Sequence, residues 1–415
     1  MYSAVYADTQ GNIYDAPGYG AVGRRGREDA VLAADDLIPL PPGADLMFLP
    51  GRSALAVRDG GIAPIAAQLA AVAAMLPAGY TRTHLPAYRL QDGAPPLPLY
   101  GYTAVAMRRG RFYVAAVKSD NNARWDPRRY NSPDLADRIA AVRHDLPGNR
   151  LVEHLARCSL AWHCCTAQNL FYRRWEAGIP VSPACNADCL GCISRQPAEC
   201  CPSPQSRIAF VPTVDEVAAI GVYHLSTAPQ PIISFGQGCE GEPSLEAATI
   251  AAAVRAVRAK TRRGTVNINT NAGFTAGIDT ISAAGLDSMR VSVISARPEG
   301  HRAYYRSVYS LDDVRASIAL AKARGVHVSL NMLLLPGYND RPEEAAAWEE
   351  FVAATGVDMI QLRNLNIDPE TVWPLLPPQG AAPLGVKAFL RRLAERFPAV
   401  RLGSFSRYLG RDGNK

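Results

Sequence analysis

From Ile179 onward, short apolar runs alternate six times with amphipathic stretches, and this pattern restricts the fold more than any other feature of the chain. IPVSPA leads into a cysteine-rich loop, PIISFG into SLEAATIAAAVRAVRAK, and TVNINTN into TAGIDTISAAG. SMRVSVIS then leads into LDDVRASIALAKARG, VHVSLNMLLLP into RPEEAAAWEEFVAATG, and DMIQLRNL into GVKAFLRRLAERF. The short runs read as strands, and the segments between them repeat apolar residues at helical spacing. Gly264, Gly285, Gly325 and Gly356 stand where helices should end. Strand, crossover helix and strand again means a parallel sheet with right-handed connections. Six units are too few for a closed eight-fold barrel. The expected fold is therefore α/β, a partial TIM-like (β/α)6 barrel working at the C-terminal edge of its strands.

The chain ahead of this alternation has a different texture. SAVYAD and NIYDAP flank the turn TQGN, and DLMFLPGRSALAV reads as two short strands around Pro50-Gly51. TAVAMRRGRFYVAAV is a hairpin signal centred on Arg109-Gly110. SPDLADRIAAVRH reads as a helix capped by Ser132, and TAQNLFYRRWEAG as another that stops at Gly178. The stretch from Gly60 to Tyr80 carries no charge. Its alanine-rich centre, bracketed by Pro64 and Pro77, is shorter than the roughly twenty residues a bilayer requires. It reads as a small buried helix. The expected organisation is a β-rich N-terminal domain over 1–125, a helical connector over 126–178, a core over 179–375, and a C-terminal helix, strand and tail over 376–415.

With 415 residues, 48% of them hydrophobic, two or three domains with real cores are expected. The net charge of +6 permits an anionic partner without demanding one. The opening MYSAVYADTQGN lacks the charged-then-apolar pattern of a signal peptide, and nine cysteines make an odd total. Reduced thiols and a cytoplasmic location are the expectation.

Those thiols carry the chemistry. Ser182 to Cys192 reads SPACNADCLGC, with Cys185, Cys189 and Cys192 in C-x3-C-x2-C spacing. No apolar repeat would bury them on one helix or strand face. Three thiolates on one loop can hold three corners of a 4Fe–4S cluster, leaving one iron without a protein ligand. The spacing alone also admits zinc, although zinc sites normally bring a fourth Cys or His.

Placed after the first strand of a (β/α)6 alternation, this loop resembles that of the radical S-adenosylmethionine (radical SAM) superfamily, over roughly residues 179 to 365. The resemblance implies a cluster on Cys185, Cys189 and Cys192 whose free iron chelates the amino and carboxylate groups of SAM. An electron from the reduced cluster then splits the sulfonium, and a 5′-deoxyadenosyl radical abstracts hydrogen from a substrate. SFGQGCEGEPSL is similar to the family's Gly-Glu-Pro motif, with Gly236, Gly238, Gly241, Glu242 and Pro243. Glycines there let backbone approach a ligand, and Glu242 would meet the methionyl amino group. NINTNAG resembles the family's Thr-Asn-Gly step, making Thr270 and Asn271 candidate SAM contacts. Ser292 and Ser295 end the fourth strand, and Ile360 and Leu362 would border the adenine. Two positions depart from the pattern: Leu190 replaces an aromatic residue and Ala272 a glycine.

Six thiols remain. Cys158, Cys164, Cys165, Cys200 and Cys201, with His154 or His163, form a pool for a second iron–sulfur cluster; buried small residues are the bland alternative. Cys239 interrupts the glycine loop. The resulting expectation is a radical SAM enzyme of oxidoreductase, lyase or transferase type, supplied by a reductase or a flavodoxin or ferredoxin. Its substrate would be a peptide, a protein or a small metabolite ahead of RNA, with nucleic acid the weakest partner and no membrane. The rivals are a zinc-stabilised scaffold and a ferredoxin-like electron carrier.

Overall fold

A computed structural model describes residues 2–97, 99–120, 123–195, 205–378 and 380–410. The chain divides into two compact units. One holds the chain up to Asp126 together with Leu333–Phe351 and Leu362–Ser404. The other holds Pro127–Met332, Val352–Gln361 and the chain from Phe405.

The N-terminal region is an antiparallel sheet. Its strands are β1 (Ser3–Ala7), β2 (Ile13–Arg25), β3 (Glu28–Val31), β4 (Leu37–Pro39), β5 (Asp45–Arg58) and β6 (Gly61–Pro64). They continue with β7 (Ala70–Met75), β8 (Tyr80–Arg82), β9 (Leu85–Pro86), β10 (Tyr88–Leu90), β11 (Tyr102–Arg108) and β12 (Arg111–Lys118). The main path runs β10-β5-β2-β1-β7-β11-β12-β4. The expected hairpin forms between β11 and β12, with Arg108 opposite Arg111.

Two expectations fail here. The alanine-rich stretch is not a helix: it forms β6 and, centrally, β7, which pairs with β1, β5 and β11. Ala71, Val72, Ala73 and Ala74 are all buried. With both faces covered the strand shows no alternation, and cross-strand pairing overrides alanine's preference for helix. The second failure is DLMFLPGRSALAV, which is one strand, β5. Its register against β7 shifts between Leu49 and Ser53, so Pro50-Gly51 makes an irregularity rather than a break.

Next come α1 (Leu135–Asp145), α2 (Arg150–Ala161) and α3 (Cys165–Phe171). The N-cap of α1 is Asp134 rather than Ser132; the Ser132 amide is instead occupied by the Tyr172 hydroxyl at 3.0 Å. α3 ends at Phe171, Arg173 turns into the left-handed region, and Glu176–Gly178 is already strand β13. The expected helix through Gly178 is therefore corrected. Its last residues pair with β14 (Ile232–Phe235), Glu176 lying opposite Ile232.

The alternation then unfolds in order: α4 (Val214–Thr227), β14, α5 (Ala247–Lys260), β15 (Thr265–Thr270), α6 (Thr275–Ala283) and β16 (Ser288–Val293). It continues through α7 (Pro298–Tyr305), α8 (Leu311–Ala323), β17 (His327–Leu334), α9 (Pro342–Thr355), β18 (Met359–Asn364), α10 (Pro369–Val372), α11 (Val386–Arg396) and β19 (Arg401–Gly403). Sheet order follows chain order from β13 to β19, and the pairings from β13 to β17 are parallel. Six strand–helix units and a short closing strand give the expected partial (β/α)6 architecture. Helix α4 escaped the sequence reading, although Thr213 and Glu216 close a capping box at its start. Because parallel strands all point one way, the loops after β13, β14 and β15 emerge at one edge.

Candidate active site

The cysteine loop leaves β13 and is zipped to the glycine loop that leaves β14. Gly241 N–H donates to Ser182 O at 2.7 Å, and Glu242 N–H to Ala184 O at 2.8 Å. The glycines answer to close neighbours rather than to open space. A Cβ on Gly241 would stand 1.8 Å from Ala184 O. One on Gly236, whose φ is +82°, would stand 1.7 Å from Asn269 O. On Gly238 it would meet the Ile193 side chain at 2.4 Å.

Two buried carboxylates hold the loops. Glu240 accepts from the amides of Gly236 at 2.6 Å and Gln237 at 2.7 Å with one oxygen, and from Val181 at 2.7 Å and Ser182 at 3.1 Å with the other. Burial pushes its pKa up to about 7, against the pull of those four donors. Glu242 accepts from the amides of Ser244 at 3.0 Å and Asn271 at 2.8 Å and from the Thr270 hydroxyl. Burial raises its pKa as well. Pro243 is buried at the start of the short helical turn that follows. Asn271 reaches on to the cysteine loop, its Nδ2 donating to Asn186 Oδ1 at 2.6 Å.

Gly241, Glu242, Pro243, Thr270 and Asn271 thus lie together. Ser292 lies apart from this network and accepts from Asn331 at 3.3 Å; the Ser295 hydroxyl accepts from Arg297 N–H at 3.1 Å. Ala272, standing where the family pattern has glycine, adopts φ +57°, so the substitution leaves a residue with a Cβ in the left-handed region.

Cys185, Cys189 and Cys192 are partly exposed free thiols. Burial, the largest influence, raises the pKa of Cys185 and lifts that of Cys189 far above the ordinary thiol range. The apoprotein therefore does little to stabilise the thiolates of Cys185 and Cys189. Arg207 Nη2 lies 3.5 Å from the Cys192 sulfur. The loop is propped by α7: Asp188 N–H donates to Tyr305 O at 2.9 Å and Leu190 N–H to Tyr304 O at 3.0 Å. Arg306 pairs with the Asp188 carboxylate at 3.0 Å. The two tyrosines are buried and packed edge to face.

Glu240, Asn186 and Arg207 were missed in the sequence. Only Glu240 left a trace there, as a carboxylate set in the glycine-rich run from Gly236 to Gly241. Of the pool proposed for a second cluster, Cys200 and Cys201 lie outside the described residues. Cys158 turns to His154, 3.6 Å away, and to the Cys239 thiol.

Residues 179–348 match the family model described as the Radical SAM superfamily. That stretch is a radical SAM domain by its match to the family model. The family implies a 4Fe–4S cluster and S-adenosylmethionine as cofactors. Methylornithine synthase matches at 15% identity over 64% of this chain and 77% of its own, with a TM-score of 0.39. SuiB of Streptococcus suis, bound to the precursor peptide SuiA, matches at 10% over 61% and 52%, TM-score 0.39. A radical SAM methyltransferase from Sphaerobacter thermophilus matches at 16% over 57% and 67%, TM-score 0.40. No curated protein matches this chain. Among the described residues, no helix is long and apolar enough to cross a membrane.

Proposed function

We propose that this chain is a radical SAM enzyme in which Cys185, Cys189 and Cys192 hold three irons of a 4Fe–4S cluster, the fourth being left for SAM. The observation that carries the reading is the convergence of three successive strand ends. The cysteine loop, the Glu242 loop and the Thr270-Asn271 step share one hydrogen-bond network at the edge where parallel sheets hold ligands. When bound, the cluster supplies the electron that cleaves SAM. The chain's own part is positional: Glu240 sets the glycine loop, and Glu242, Thr270 and Asn271 provide a polar wall for the methionyl group. Arg207 offers a positive charge beside the Cys192 sulfur.

The catalytic core in this reading is 179–375, flanked by the β-rich region over 1–125, the helical connector over 126–178 and the tail over 376–415. The substrate class is a peptide, a protein or a small metabolite in preference to RNA, and a flavodoxin, ferredoxin or dedicated reductase supplies electrons. The modest charge of +6 supports this ordering.

The test is reductive cleavage. Protein reconstituted with iron and sulfide without oxygen should convert SAM to 5′-deoxyadenosine when reduced, and Cys185→Ala should not. Because some enzymes of this kind need substrate before they cleave, SAM should also perturb the cluster's spectrum. Colourless protein holding only zinc, or a reducible cluster indifferent to SAM by both measures, would sink the proposal.

A further inference from the structure

A second set of soft ligands gathers away from the cysteine loop. A nitrogen of His154 and the sulfurs of Cys158 and Cys239 all lie within 4.8 Å of one another. His154 and Cys158 are four residues apart on α2, so one helix face presents both. Cys239 comes from the glycine loop, where its carbonyl accepts from Ile208 N–H at 2.7 Å and the adjoining Glu240 fixes the backbone. Both sulfurs are buried, at 2% and 5% exposure, and neither is in a disulfide.

We propose that His154, Cys158 and Cys239 bind a zinc ion, forming a metal site distinct from the one on Cys185, Cys189 and Cys192. Tetrahedral zinc with bonds of about 2.3 Å to sulfur and about 2.0–2.1 Å to nitrogen sets its nitrogen and sulfur ligands about 3.6 Å apart. The Cys158 sulfur stands 3.6 Å from His154 Nε2, so the ion fits without movement of the helix. An iron–sulfur cluster, whose ligands bind different metal atoms, spreads them more widely.

Cys164 follows close along the backbone but is not one of the three gathered ligands. Its N–H donates to Cys158 O at 3.1 Å, and its thiol feels the charge of Cys158 and in turn influences Cys239. Two cysteines and one histidine supply three of the four ligands of a tetrahedral zinc, and water can complete the set. On binding, each thiol that becomes a ligand releases its proton to solvent, and no electron moves. The ion would tie α2 to the glycine loop three residues before Glu242.

The test uses the full chain carrying Cys185→Ala, Cys189→Ala and Cys192→Ala together, purified without oxygen or added metal, so that iron on that loop does not enter the count. Elemental analysis should find about one zinc per chain, and cobalt in its place should show the visible bands of a tetrahedral thiolate site. Adding Cys239→Ser or His154→Gln should cut the zinc about tenfold, while Cys165→Ser leaves it unchanged. Circular dichroism guards against misfolding, and the part-buried His154 gives the gentler variant. Absence of zinc, iron with sulfide in its place, zinc that follows Cys165, or a Cys158–Cys239 disulfide in the purified protein would each overturn the proposal. SAM cleavage by the unaltered chain is a separate measurement, so the two proposals fail independently.

Discussion

The two sheets fill their interiors in opposite ways. The antiparallel one is packed with small apolar side chains: Ala71, Val72, Ala73 and Ala74 on β7, Ala104, Val105 and Ala106 on β11, and Val114, Ala115 and Ala116 on β12. In the parallel one every residue of β15 is buried, yet four of the six are polar. Asn267 donates to Ser234 Oγ at 3.0 Å and to Asn269 Oδ1 at 2.9 Å, and accepts from Ser288 Oγ at 2.7 Å. Ser234 in turn donates to Glu176 at 2.7 Å, and Asn269 to Gly236 O at 3.1 Å. Buried parallel strands ordinarily read as continuous apolar runs. A polar interior is tolerated only where its members satisfy one another, and this network ends at Gly236, the first residue of the glycine loop. One sheet is built to pack; the other carries polarity up to a site.

The largest expected contrast lies in the glycines. Gly241→Ala puts a methyl against backbone that cannot yield, and should lower SAM cleavage at least about a hundredfold by displacing Glu242. Gly110→Ala, in the hairpin of the antiparallel region at φ +69° with open space around it, should cost only about 1 kcal/mol of stability and leave cleavage unchanged. Equal losses of activity in the two variants would erase the distinction.

Acid is the condition under which the regions should converge. His224 on α4 is fully buried, with Nε2 2.9 Å from Trp175 O, and burial lowers its pKa to about 4. The unfolded chain takes up a proton near pH 6.5 that the folded chain refuses until about pH 4. Stability is therefore whole above that window and falls through it as pH drops, by about 3 kcal/mol in all. Denaturant melts of His224→Gln should show a flatter profile between those limits. His84 in the antiparallel region is likewise held low, first by burial, so a residual slope should persist until it too is replaced. An unchanged slope in the double variant would assign acid sensitivity elsewhere.

The smallest effect probes the interiors themselves. Asn267→Leu strands the hydroxyls of Ser234 and Ser288 and should cost about 2 kcal/mol. Ala73→Val in the dry sheet should cost about 1 kcal/mol, from crowding alone. Chemical denaturation measures both, and a neutral or stabilising Asn267→Leu would show that the polar layer is not structural.

Much of this architecture was legible in the chain. Five of the six expected strands in the alternation fall on their runs, because each buried strand and amphipathic helix leaves its own period in the sequence. The first slipped: Glu176–Gly178, not IPVSPA, pairs with β14, and three residues are too few to show a period. β7 was misread for a related reason, since a strand buried on both faces looks locally like a short helix. The three loop cysteines, Glu242, Thr270 and Asn271 stood out by residue type and spacing. Asn186 and Arg207 did not, since ordinary polar residues become part of a site only through the partners that folding brings them.

By itself the sequence determined the alternating architecture, the radical SAM motif and the residue types on which the proposed site rests, because these depend on spacing along the chain. Tertiary structure alone decided that the glycines close against Ala184 and Asn269, that Glu240 gathers four amides, and that Cys239 meets His154 and Cys158. Each of those contacts joins residues more than thirty positions apart or turns on backbone direction, and local pattern carries no record of either.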